Sequence, residues 1–193
     1  MDNPIAENSL SPRESMQIIA DTIAKTKEDI RLNSFCFLLW GWLISIASLL
    51  FFVLQHFTSF SYYFLVFPLA VVPGIVITVV WFVKNRTTAT LSHLTFFLSR
   101  LWLVMGLGFI VVVFLNVVQG MLPFAYSLLL AAIGTCVSGL VMRFRPLQAG
   151  GVVLFAACMG TLFIPDDYQS LLNGAAILLG YLIPGYLLKN HKS

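Results

Sequence analysis

Residues 34–54, SFCFLLWGWLISIASLLFFVL, contain no charged side chain, and no other stretch limits the possible folds of this chain so strongly. At about 1.5 Å of rise per residue, roughly 20 apolar residues cross the roughly 30 Å hydrocarbon layer of a bilayer as a helix. Only a helix or a closed barrel satisfies its own backbone hydrogen bonds there. The stretch reads as a first membrane span. The rest of the chain extends the pattern: 59% of residues are hydrophobic and 10% charged, against about 25% charged in soluble domains. The apolar residues fall into further blocks of span length at 62–83, 101–118, 122–142, 147–164 and 168–188. Short connections leave no room for a second, soluble domain. The expected fold class is all-α, a polytopic bundle of six transmembrane helices over residues 34–188.

Six crossings bring both ends of the chain to one side of the membrane, and the basic residues indicate which. Arg13, Lys25, Lys27 and Arg31 precede the first block; Lys84, Arg86 and Arg100 separate the second and third; Arg143 and Arg145 separate the fourth and fifth; Lys189 and Lys192 lie in a basic tail at 189–193. The opposite connections, QHFTSFS, QGM and PDD, contain no Lys or Arg. The positive-inside rule therefore predicts an inner-membrane protein with both termini cytoplasmic. It also explains the basic residues as topogenic, which excludes a nucleic-acid surface. Trp40, Trp42, Trp81 and Trp102 at inner ends, with Tyr62, Tyr63, Tyr126 and Tyr168 at outer ends, fit interfacial belts.

Residues 1–10 are polar and aperiodic and are expected to be a disordered lead. A helix is predicted over 11–32, opened by Ser11-Pro12-Arg13-Glu14: a capping hydroxyl, a proline where no amide proton is needed, and a Glu that can reach back. Met16, Ile19, Ile23 and Ile30 recur on one face, opposite Glu14, Gln17, Asp21, Lys25 and Glu28, which makes this helix amphipathic. Residues 1–33 hold six acids (Asp2, Glu7, Glu14, Asp21, Glu28, Asp29) against four bases. Anionic lipid repels that balance. The stripe Met16, Ile19, Ile23 and Ile30 is therefore read as a docking face for protein, whether the chain's own bundle, a second copy, or a cytosolic or membrane partner.

No Asp, Glu, Lys or His lies deep in any expected span, which argues against ion-coupled transport and against an intramembrane protease. His56, His93 and His191 lie outside the spans, and Cys36, Cys136 and Cys158 show no CxxC spacing. No enzyme, metal or cofactor is expected. Pro73-Gly74 interrupts the second span; a broken helix there would expose carbonyls to a permeant solute, while a packing kink is the simpler reading. Pro184-Gly185 reads as a kink near the exit of the sixth span. Asn116 and Gln119 near the outer end of the third span either line a polar vestibule or hydrogen-bond across helices. Asp166-Asp167 reads as a cap on the sixth span. Small-residue pairs such as Gly41 with Ser45, and Ala176 with Gly180, permit close helix approach. The basic ends of successive span pairs suggest tandem hairpins, in which Gly134 superposes on Gly180 and Gly139 on Gly185.

The segment ESMQIIADTIAKTK, followed after a short gap by SFCFLLWGW, resembles the opening of small, uncharacterised bacterial multi-pass inner-membrane proteins that place such a helix before an FLLWGW-type first span. The resemblance covers about the first quarter of the chain. It implies a fold plan and an inner-membrane address, with no assigned activity and no catalytic residues. The expected function is non-enzymatic: a regulatory or scaffolding protein that docks a partner through its N-terminal helix. The alternative is a small uncoupled transporter or permeation subunit built on the second span.

Overall fold

Every expected span is a helix in the computed structural model, which describes residues 12–58, 62–85 and 93–190. The elements are α1 (Pro12–Phe57), a 3-10 turn (Tyr63–Leu65), α2 (Val66–Asn85), α3 (His93–Val118), α4 (Phe124–Val141), α5 (Arg145–Gly160), a second 3-10 turn (Thr161–Phe163), α6 (Asp166–Ile177), a π-helical turn (Leu178–Leu182) and α7 (Ile183–Lys189). No strand occurs among the described residues. Six segments are long and apolar enough to cross a membrane: Ser34–Phe57, Tyr63–Lys84, Leu94–Val118, Phe124–Val141, Arg145–Phe163 and Asp166–Asn190.

Three features depart from the sequence reading. The N-terminal helix and the first span are one element of 46 residues rather than two. Between Arg13 and Trp40 there is neither Gly nor Pro, so nothing stops the helix where its composition changes from charged to apolar. The third helix begins at His93, ahead of the apolar block at 101–118, as the helical spacing of Leu94, Phe97, Leu98 and Leu101 allows, and carries Arg100 on an exposed face with its guanidinium 5.2 Å from the centre of the Phe96 ring. The last span is α6, the π turn and α7 in succession, so the irregularity lies at Leu178–Leu182, ahead of Pro184. The expected lead over residues 1–10, Ser11 and the last three residues of the basic tail lie outside the described residues. So do Arg86 and the side chains of Ile19, Ile23 and Ile30, whose backbone is helical in α1.

Packing is organised around α1, which lies against α2 on one side and against α6, the π turn and α7 on the other. The most extensive helix pair is α4 with α5, and α3 leans on α4. Leu128, Leu147 and Leu154 are fully buried where α4 and α5 meet, in a core with Ala132, Ile177 and Tyr181. The last span is 56% buried and α4 44%, whereas α2 is 11% buried and α3 6%. The two least buried spans flank the bundle and present apolar side chains outward, as lipid requires. Lipid tails are as apolar as leucine, so association inside a membrane depends on close fit and interhelical hydrogen bonds.

Close fit is clearest along α5. A Cβ on Gly151 would sit 2.9 Å from the Cα of Cys136 in α4, and one on Gly150 would strike the carbonyl oxygen of Gly180 in the π turn. The glycines of the supposed hairpin repeat have different tasks: Gly134 faces the Trp102 ring, while Gly180 faces Gly150 and Leu154. They share a position without sharing a contact.

Candidate functional site

Four buried polar residues, Ser45, Ser48, Ser170 and Asn173, lie on the two helices α1 and α6 that pack together. Ser45, Ser48 and Gln55 recur on one face of α1 at helical spacing, and Asp167, Ser170, Asn173 and Gly174 do so on α6. Asn173 Nδ2 donates to Ser48 Oγ at 2.8 Å, and Ser45 Oγ reaches the Gly174 carbonyl at 3.5 Å. Toward the end of the bundle that lacks basic residues, Gln55 Nε2 donates to Asp167 Oδ1 at 3.3 Å. Ser45, Ser48, Ser170 and Asn173 are all buried. An interhelical hydrogen bond of this kind is worth about 0.6 to 2 kcal/mol, because the separated helices also find partners in a membrane.

Two atoms in this seam have no hydrogen-bond partner: the hydroxyl of Ser170, whose side chain is 0% exposed, and Gln55 Oε1. The pairs Ser48 with Asn173 and Gln55 with Asp167 bracket Ser170 along α6. A buried polar group without a partner is uncommon and costs about 1 to 3 kcal/mol.

All four tryptophans join α1 to another helix. Trp40 Nε1 donates to Thr78 Oγ1 of α2 at 3.1 Å, and Thr78 in turn donates to the Gly74 carbonyl. Trp42 Nε1 donates to the Tyr186 hydroxyl of α7 at 3.1 Å. Trp81 of α2 stacks on Phe35 with ring centroids 4.0 Å apart. Trp102 of α3 meets Phe37 edge to face at 5.8 Å, with Tyr181 completing the cluster. Residues expected to mark an interface therefore also fasten the bundle to its first helix.

The residues singled out from sequence do not converge on one place. Met16, at the far end of α1, is 72% exposed. Pro73 and Gly74 lie inside an uninterrupted α2; Pro73 is exposed, and Gly74 is buried against Leu43 and Trp40 of α1. The helix is not opened there: the amide missing at Pro73 withdraws a donor only from the Leu69 carbonyl, and Val66–Asn85 runs on as one helix. Asn116 is buried, with its Nδ2 donating to the Val112 carbonyl of its own helix at 2.8 Å, and Gln119 is exposed in the following turn. The Asn116 side chain thus bonds within its own helix. Asp166 and Asp167 occupy the first turn of α6, and the cap position is Pro165 with no side-chain cap. Asp166 Oδ1 accepts from Gln169, and Asp167 from Gln55. The sequence reading missed the Ser48 to Asn173 pair. Its signal was present in two i,i+3 polar pairs, Ser45 with Ser48 and Ser170 with Asn173, each in an apolar span.

These features define a multi-pass, all-helical membrane protein whose first and last spans are joined by a polar seam. Comparison with protein-family models, with characterised proteins and with solved structures gives no match, so function rests on the residues themselves.

Proposed function

We propose that this is a non-enzymatic regulatory or scaffolding protein of the bacterial inner membrane, with both termini cytoplasmic, that docks a protein partner through Met16, Ile19, Ile23 and Ile30. One observation carries the reading: α1 continues without interruption from the first span back to Pro12. The segment from Pro12 to the membrane extends about 33 Å as a helix, and it is continuous with the element on which the bundle packs. Met16 at its tip is 72% exposed. An amphipathic helix held in this way suits insertion into a groove on a partner. The net acidic character of residues 1–33 favours protein over anionic lipid. The cytoplasmic orientation is supported by the eleven Lys and Arg residues, all of which fall on one side of the six spans. A permeation role built on an opened second span has less support, since Val66–Asn85 is one helix.

The test is in-cell crosslinking of the full-length protein beside an Ile19→Asp, Ile23→Asp variant. The expected result is normal membrane insertion with loss of one specific crosslinked complex. A complex that survives both substitutions contradicts the docking role.

A further inference from the structure

The apolar stripe ahead of the first span continues the face that α1 buries inside the bundle. At 3.6 residues per turn, positions 16, 19, 23 and 30 lie on the helix within about 20° of the buried positions of the span, among them Ser34, Phe37, Gly41 and Ser48. Positions 14, 21 and 28, all acidic, lie about 170° round the helix from the stripe, on the side where Ile46 and Leu50 are exposed. Position 27, a lysine, borders the stripe.

The basic residues at the same end of the bundle gather around the place where α1 enters it. Phe37 meets the ring of Trp102, two residues after Arg100. A Cβ on Gly185, four residues before Lys189, would sit 3.3 Å from the Phe37 Cβ. Phe144, between Arg143 and Arg145, belongs to the same buried cluster as Phe37. Arg100, Arg143, Arg145 and Lys189 are all exposed. The acids outside residues 1–29 are Asp166 and Asp167, at the other end of the bundle. An apolar stripe therefore leads away from a basic rim, with Glu14, Asp21 and Glu28 at positions on the opposite side of the same helix.

We propose that the corner between this stripe and the basic rim seats an acidic amphipathic helix of a partner protein, with its apolar face along Met16, Ile19, Ile23 and Ile30 and its carboxylates on Arg100, Arg145 and Lys189. The inference rests on the docking role proposed above and specifies where the partner sits and what charge it carries. Recognition of a helix along an apolar face takes its affinity from that face, while complementary charge at the rim fixes orientation and speeds association. A second copy does not meet the requirement. Its stripe is bordered by Lys27, its acids lie on the far side of the helix, and pairing two straight copies of α1 through the face that also carries the bundle drives one bundle into the other. Anionic lipid satisfies the rim alone, because the stripe lies on the side of α1 that faces the bundle rather than the surrounding bilayer.

The experiment uses the full-length protein in cells, with the photoreactive residue p-benzoylphenylalanine placed singly at Ile23 in the stripe, at Asn190 beside the rim, or at Asp21 on the opposite side. The expected result is one protein other than this chain, attached at both Ile23 and Asn190 and absent at Asp21. Mass spectrometry of the attached peptide is expected to find an amphipathic segment of net negative charge. The yield at Ile23 falls about tenfold when Arg100→Gln, Arg145→Gln and Lys189→Gln are combined. Arg143 and the basic residues ahead of the span are kept, so that orientation in the membrane is preserved. A partner attached at Ile23 overturns the corner, while leaving the docking role standing, if it is missing at Asn190, equally attached at Asp21, joined through a basic segment, or captured in unchanged yield by the triple variant. Attachment at Ile23 to this chain itself, to a second copy or to nothing overturns both.

Discussion

Arg143 and Gly120 occupy equivalent places at the ends of α4 and α3, and both have positive φ, 52° and 70°. Each is followed by a residue whose amide bonds back across the last turn: Phe144 to the Gly139 carbonyl at 2.9 Å, and Met121 to the Asn116 carbonyl at 2.9 Å. The two helices thus close with the same Schellman pattern, one with glycine and one with arginine. A side chain in the left-handed region costs about 1 to 2 kcal/mol. Arg143→Gly should therefore raise stability by about 1 kcal/mol, and Arg143→Val should lower it by at least about 1 kcal/mol, because branching at Cβ aggravates the same clash. Reversible denaturant unfolding in mixed micelles measures both; equal stability of the two variants would remove the strain argument. Gly120 was recognisable in the sequence as a turn residue, whereas Arg143 was read only as a topogenic charge. Asn116 shows a similar ambiguity: a polar residue near a span end looks the same in the sequence whether it faces solvent or, as here, bonds to the carbonyl one turn back in its own helix.

At the scale of elements, the crossing of α5 over the π turn is the tightest contact in the bundle. The π turn sits just before Pro184, whose missing amide leaves the Gly180 carbonyl without its ordinary i+4 donor. Gly150 brings the backbone of α5 against that carbonyl with no side chain between them. Gly150→Ala should force the helices apart and cost roughly 2 to 4 kcal/mol, whereas Gly106→Ala, with open space around the added Cβ, should be neutral. Thermal unfolding of the two variants in one detergent checks the contrast; equal loss in both would show that the Gly150 contact carries no particular weight. The positions of the six spans were legible because hydropathy over a span-length window reports a solvent requirement that no tertiary contact overrides. Which helices pair was not legible. Nearly every position in α2 and α3 is apolar, so no face of either helix announces its neighbour, and glycine contacts such as Gly74 with Leu43 appear only in three dimensions.

For the molecule as a whole, α1 is both the helix on which the spans pack and an element that continues beyond the first span to Pro12. Four tryptophans connect it to α2, α3 and α7, the polar seam connects it to α6, and nearly half of its length lies ahead of the span. A partner that tilts or rotates the N-terminal segment would move those contacts together, because the helix contains no hinge between Arg13 and Trp40. The sequence showed the two halves of α1 as separate objects, one amphipathic and one apolar. Their union depends on the absence of a stop signal at residues 31–34, which composition does not display. The most direct measurement of this account is a pulsed-EPR distance between spin labels at Gln17 and Val53 in nanodiscs, with Cys36, Cys136 and Cys158 replaced by Ala. A continuous helix predicts one narrow distribution centred at about 54 Å. A broad distribution, or a peak well below that length, would mean that the N-terminal segment folds back on the bundle and would contradict the docking role proposed for it.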